Sequence, residues 1–219
     1  MTPEERVLST LQRVRDERII MILRSETADD AERAVEAAIA GGITLIEITY
    51  SVPGAAELIA RLSRRHGDAV CIGAGTVLDA AQVDEAADAG ARFAVSPATV
   101  DEVVAASLRR GLLPLPGVMT PSEALRAVRA GAPAVKLFPA RSFGPAFVRD
   151  LLAPLPDLVI VPSGGVDVQQ VGEWLGAGAA AVGLGGRLSP SRVAPGEERG
   201  ITERAAAALA AVNDHPRHV

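Results

Sequence analysis

The chain is poor in the residues that build several common kinds of site. It has one cysteine, Cys71, so no internal disulfide can form. Its three histidines are His66 in a predicted loop and His215 and His218 near the end; with one cysteine they do not assemble into a metal-ligand pattern, and no metal is expected. Six aromatic residues and a net charge of -5, with no basic run, supply neither a stacking platform nor an electrostatic footprint for nucleic acid. A small molecule is the expected partner. No apolar run reaches the roughly 18 residues of a membrane span, and the start Met1-Thr2-Pro3-Glu4-Glu5-Arg6 is charged, unlike a secretory signal. These features together predict a cytoplasmic protein.

Above all, the chain is short of lysine. Of 22 basic residues, 21 are arginine and one, Lys136, is lysine. It sits in the apolar run Ala134-Val135-Lys136-Leu137-Phe138-Pro139. Arginine replaces lysine in most solvated roles, but a guanidinium keeps its proton and does not attack a carbonyl. A desolvated amine loses its proton and forms a Schiff base. Taken alone, Lys136 also fits a plainer role, with its stem buried and its head in water. Cys71, in Ala69-Val70-Cys71-Ile72, reads as core packing.

With 219 residues and 48% hydrophobic composition, the chain can bury one large core, and it is predicted to be a single domain over 1–219. Short apolar runs alternate with Ala/Glu/Arg-rich segments of helical period, the pattern of βα units around a parallel sheet. Strands are predicted at 19–24, 44–49, 70–75, 93–97, 113–117, 134–138, 158–162 and 180–184. Helices are predicted at 28–40, 79–89, 122–129, 169–175 and 201–212, with a leading helix at 3–15 and a frayed tail from about 213. Glycines at 41–42, 90, 111, 131 and 178 precede strands, where a helix end calls for the left-handed conformation. Eight such units predict a (β/α)8 TIM barrel with an N-terminal helix; an open doubly wound sheet is the lesser alternative.

A barrel gathers its chemistry at the C-terminal ends of its strands. In chain order these ends carry Arg24, Glu47, Thr76, Ser96-Pro97, Gly117-Val118-Met119, Lys136 with Phe138, Ser163-Gly164-Gly165 and Gly185-Gly186-Arg187. Glu47 is flanked by Ile46 and Ile48, so it faces away from water and needs a partner. Burial favours a neutral carboxyl and a lysine charge favours an ionised one, and a group between those influences can pass protons. A purely structural ion pair with Arg24 or Lys136 is the other reading. The glycine pairs after the seventh and eighth strands occupy the place where barrels cradle phosphate on backbone N–H groups, although ordinary glycine turns look the same.

These residues resemble those of the 2-keto-3-deoxy-6-phosphogluconate (KDPG) aldolase family, class I enzymes that include 4-hydroxy-2-oxoglutarate (KHG) and 2-dehydro-3-deoxy-6-phosphogalactonate aldolases. The resemblance runs through Ile22-Leu23-Arg24, Gly41-Gly42-Ile43, Ile46-Glu47-Ile48-Thr49, Gly73-Ala74-Gly75-Thr76-Val77, Val95-Ser96-Pro97, Pro116-Gly117-Val118-Met119-Thr120-Pro121, Val135-Lys136-Leu137-Phe138-Pro139 and Gly164-Gly165-Val166. It implies a cofactor-independent carbon-carbon lyase that splits a 2-keto-3-deoxy sugar acid into pyruvate and an aldehyde, as in an Entner–Doudoroff pathway. Lys136 would be the Schiff-base lysine and Glu47 the acid/base. Arg24 and Thr76 would hold the keto-acid carboxylate, and Pro97 and Phe138 would wall the pocket. Ser163, Gly164, Gly165, Gly185 and Gly186 would receive the distal phosphate. A homotrimer is implied as well.

Two positions depart from the family pattern. Some members carry an arginine shortly after the glutamate, where this chain reads Ile48-Thr49-Tyr50-Ser51, so carboxylate binding falls to Arg24. Many members have a serine in the eighth-strand loop, where this chain has Gly185-Gly186-Arg187. An inward Arg187 would substitute charge for the missing hydroxyl, and an outward one would leave a site for an unphosphorylated tail. A phosphate-binding isomerase or synthase leaves Lys136 idle, and a catalytically silent sugar-acid-binding barrel leaves both Lys136 and Glu47 idle.

Overall fold

The computed structural model of the chain describes residues 1–215. The chain opens with helix α1 (Pro3–Glu17), whose start is fixed by a reciprocal cap: Glu5 N–H donates to Thr2 Oγ1 at 3.1 Å, and Thr2 N–H donates to Glu5 Oε2 at 2.7 Å. Strands then alternate with helices. The strands are β1 (Ile19–Leu23), β2 (Leu45–Thr49), β3 (Cys71–Gly75), β4 (Phe93–Val95), β5 (Leu113–Leu115), β6 (Gly117–Val118), β7 (Val135–Leu137), β8 (Ile160–Pro162) and β9 (Val182–Leu184). The helices that follow α1 are α2 (Ala28–Ala40), α3 (Ala55–His66), α4 (Ala80–Asp88), α5 (Asp101–Arg110), α6 (Pro121–Arg129), α7 (Pro145–Leu152), α8 (Val171–Gly176) and α9 (Glu198–Asn213). None of the helices among the described residues is long and apolar enough to cross a membrane.

All strand pairs are parallel and the main sheet is curled. Six strands run in the order β5-β4-β3-β2-β1-β9, and a second sheet runs β6-β7-β8. The predicted fifth strand is therefore not continuous. Pro116, which has no N–H to give a ladder, divides it into β5 and β6. An isolated parallel bridge between Ser163 and Gly183 links β8 to β9. The predicted tail is only partly described: α9 reaches Asn213, Arg18 donates to the His215 carbonyl, and residues 216–219, with His218, lie outside the described residues.

Strand alternation sorts the core into two layers. Ile19, Met21 and Leu23 on β1, with Ile46 and Ile48 on β2, face outward and pack under the helices against small side chains such as Ala31, Ala34 and Ala38. Ile20, Leu45, Cys71, Phe93, Leu113, Val161 and Ala181 face inward, where Val7, Leu11 and Val14 of α1 join them. Gly73 leaves room for the Phe93 ring; a Cβ there would lie 2.5 Å from its Cγ. The inward face is thus filled with hydrocarbon at the α1 end. Its next residues toward the other end are the polar ones.

Candidate active site

Glu47 shares the inward face of β2 with Leu45, and Lys136 shares that of β7 with Ala134. The fold therefore carries both charges into the interior, where Lys136 is 4% and Glu47 2% exposed. Lys136 Nζ stands 3.6 Å from Glu47 Oε1 and 5.1 Å from the centre of the Phe138 ring. At 3.6 Å the two are an ion pair without a hydrogen bond, and buried Oε1 has no hydrogen-bond partner. A buried carboxylate oxygen left unmatched costs stability, and a place for a ligand or a proton is one reason a fold keeps one.

Gly75, opposite Thr49 on the neighbouring strand, makes room for this carboxylate. A Cβ at Gly75 would lie 2.6 Å from Glu47 Cγ and closer still to Oε1. Thr76 follows with φ 58°, a left-handed conformation that a β-branched residue adopts only under constraint. The turn is pinned on both sides: Tyr50 N–H donates to Gly75 O at 2.8 Å, and Val77 N–H donates to Val95 O at 3.0 Å.

A cleft of about 530 Å3 opens above Lys136, lined by Ile22, Arg24, Phe138, Arg141, Gly164, Gly165, Val166, Gly185, Gly186 and Arg187. The structure thus brings together Lys136, Arg24, Phe138, both glycine pairs and Arg187 from the sequence-predicted set; Glu47 does not line the cleft and stands 3.6 Å from the amine. Thr76, Pro97 and Ser163 do not line this cleft. Ser163 is 2% exposed; its N–H donates to Leu137 O at 2.9 Å and its carbonyl accepts from Ala140 N–H at 2.7 Å. Gly183 makes room for Ser163 and for Ile22, whose Cδ1 would lie 2.7 Å from a Cβ at that position. Pro97 is exposed, and its backbone fills the space in which a Gly117 side chain would stand.

The cleft is strongly cationic. Arg24, Lys136, Arg141 and Arg187 line it, and no carboxylate does. Arg187 is partly committed, with Nε 3.6 Å from Asp167 Oδ2 and its side chain 71% exposed. Ile22 and Val166 stood in the sequence motifs without a site role, and Arg141 escaped the sequence reading; one arginine among 21 in a loop carries no periodicity or spacing to mark it. A second cavity, of about 420 Å3, lies at the α1 end beside Arg13, Asp68, Cys71 and Arg92. Burial pushes the Cys71 thiol up to about 12, so it is not a nucleophile at neutral pH. Among the described residues, no group of three or more His, Cys, Asp or Glu side chains is placed to hold a metal ion.

Comparison with known proteins gives the same direction. Residues 11–203 match the family model described as KDPG and KHG aldolase. A 2-dehydro-3-deoxy-6-phosphogalactonate aldolase of Escherichia coli K12 is 39% identical over 171 residues, covering 78% of this chain and 83% of the relative. A solved structure described as native KDPGal superposes with a TM-score of 0.83 at 35% identity, over 90% of this chain and 95% of that one. A Legionella pneumophila KDPG aldolase, solved with pyruvate captured as a covalent carbinolamine, superposes with a TM-score of 0.78 at 28% identity, over 95% and 98%.

Proposed function

The chain belongs to the KDPG and KHG aldolase family, and from that premise we propose that its cleft works as a class I aldolase through Lys136 and Glu47. The reaction is the cleavage of a 2-keto-3-deoxy sugar acid to pyruvate and an aldehyde. The observation that carries the residue assignment is the buried amine 3.6 Å from an unpartnered carboxylate oxygen at the floor of a cationic cleft.

The amine of Lys136 adds to the C2 ketone, and loss of water leaves an iminium. Glu47 takes the C4 hydroxyl proton as the C3–C4 bond breaks. The bonding pair moves toward the iminium nitrogen, leaving a pyruvate enamine on Lys136 and releasing the aldehyde. Glu47 then returns a proton to C3, and water hydrolyses the new iminium to free pyruvate and the amine. The covalent iminium serves as the electron sink, so none of these steps calls on a cofactor. Arg24 holds the keto-acid carboxylate with its planar fork. Gly164, Gly165, Gly185 and Gly186, with Arg187, receive the distal end of the substrate, and Phe138 walls the reacting carbons. Thr76 and Pro97 belong to the mouth, and Ser163 supports it through β7 and β9.

We read β5 and β6 as one strand interrupted at Pro116, and the Ser163–Gly183 bridge as a seam, so that eight βα units form one barrel. The assembly proposed is a cytoplasmic homotrimer; exposed Leu78, Met119, Leu125 and Val128 support an association surface, and light scattering tests it. Within the family, the 39% identity to the phosphogalactonate relative makes that C4 epimer the alternative substrate to KDPG, and rates on the two epimers decide between them.

The chemistry is tested by borohydride reduction in the presence of pyruvate, followed by peptide mass mapping. A pyruvate-derived adduct confined to Lys136 is expected. No adduct on folded protein, under conditions that label the Escherichia coli relative, overturns the proposal.

A further inference from the structure

Arg141 is exposed, lines the cleft, and has neither a hydrogen bond through its guanidinium nor an ion pair among the described residues. Arg24 in the same cleft is likewise unpaired among the described residues, whereas Arg65, Arg126 and Arg199 on the surface each meet carboxylates. Its stem is nevertheless fixed. Arg141 N–H donates to Gly164 O at 3.0 Å, and a Cβ at Gly165 would lie 2.7 Å from Arg141 Cβ and 2.9 Å from its Cδ. Gly165, at φ 89°, is therefore the surface on which the arginine stem lies, and loop and side chain form one unit.

The loops after β7, β8 and β9 are neighbours, since β7 pairs with β8 and β8 is bridged to β9. They bring Arg141, the Gly164-Gly165 pair and Arg187 to one side of the cleft mouth, with Arg24 after β1 next in order. One carboxylate occupies one arginine fork. The remaining cations call for a second, more highly charged group, and a phosphate monoester carries close to two negative charges at neutral pH. Arg187 is held toward Asp167, whereas Arg141 has no competing acid. No serine or threonine lines the cleft, so recognition of the tail rests on charge and backbone.

We propose that Arg141 is the specificity-determining residue that docks a terminal phosphate of the substrate, with Arg187 as the weaker second arm. The assignment rests on the aldolase reading of the site. It makes the chain selective for phosphorylated over unphosphorylated 2-keto-3-deoxy acids by a guanidinium fork in place of a hydroxyl.

The test compares kcat/KM for a six-carbon 2-keto-3-deoxy acid and its 6-phosphate in the wild type, Arg141→Ala and Arg141→Lys. Loss of one charge-assisted contact lowers kcat/KM on the phosphate ester by about 10- to 100-fold, chiefly through KM, and on the free acid by less than about 3-fold. Arg141→Lys recovers part of the loss, because it returns the charge without the fork. Calorimetric titration with inorganic phosphate shows weaker binding to Arg141→Ala in parallel. Equal losses on both substrates, no loss on either, or a wild type without phosphate preference overturns the proposal. The pyruvate adduct on Lys136 is scored in the same proteins. If the wild type forms none, the aldolase reading fails, while the phosphate titration still decides Arg141: binding that is unchanged in the alanine variant overturns it. Melting curves check that this exposed substitution leaves the fold intact.

Discussion

The floor and the rim of the cleft are built in opposite ways. On the floor, Lys136 and Glu47 project from strands, are almost wholly buried, and have their separation set by the strands that carry them. On the rim, Arg24, Arg141 and Arg187 project from the chain beyond the strand ends, are exposed, and have one long ion pair among them. A reacting group must be held to a fraction of an ångström, which packed strands supply. A group that binds a charge at a distance needs only sign and reach, which loops supply. Under the proposed mechanism the same cleft separates catalysis from recognition, and substitutions on floor and rim are expected to fail differently.

The sharpest contrast comes from Lys136→Arg. It keeps a positive charge beside Glu47 but removes the only lysine amine, so turnover falls on the order of 10⁴-fold or more and the borohydride adduct at position 136 disappears. Retained turnover in a folded variant would remove the covalent mechanism and the distinction between floor and rim with it. Glu47→Gln is next. The amide fills the same space without accepting the proton, and kcat falls by about 10²- to 10⁴-fold while pyruvate still labels Lys136. A Gln variant that cleaves at wild-type rate would return Glu47 to a structural partner of the lysine.

Gly75→Ala tests position without replacing a charged group. The added Cβ meets Glu47 Cγ at 2.6 Å inside a closed core, so the carboxylate must move. We expect kcat to fall about 10- to 100-fold, as for a misplaced catalytic group. Overpacking should also cost about 1–3 kcal/mol, read as a lower Tm. At the rim, Gly186→Ala meets nothing within 4 Å, and its Tm should stay within about a degree of wild type. Equal melting points for the two variants would show that the floor is no stiffer than the rim.

The floor was also the part that could be read from sequence. Eight apolar runs placed every strand within a few residues, and the glycines at 42, 90, 111, 131 and 178 do adopt positive φ at the helix ends. A charge inside an apolar strand is conspicuous, which is why Lys136 and Glu47 stood out. Pro116 was visible as a residue, but its effect was not, because whether a missing N–H breaks a ladder depends on where the neighbouring strand lies. The left-handed turn at Thr76 was hidden for the same reason: its φ is imposed by Gly75 and the strands on either side. On the rim the sequence pointed to Arg187 and passed over Arg141. Only the fold reveals that Asp167 stands beside the first and that Gly165 supports the second.

Asp167 gives the smallest and most specific test of that rim. It caps the short helical turn Val168–Gln170, accepting from Gln169 N–H at 3.3 Å, while its other oxygen faces Arg187. Asn serves as well as Asp at such a cap, so Asp167→Asn removes the charge and keeps the turn. The ion pair is 3.6 Å long and its arginine is largely in water, so its energy is below about 1 kcal/mol and screened by salt. Freeing Arg187, and removing a carboxylate that repels an incoming anion, should therefore tighten inorganic phosphate by no more than about 5-fold at low ionic strength and by less at high. A gain of that size confined to phosphorylated ligands means that Arg187 is a second arm restrained by its neighbour. Weaker phosphate binding in the Asn variant would mean the reverse, that Asp167 holds Arg187 where the phosphate needs it, and the ranking of Arg141 over Arg187 would have to be inverted.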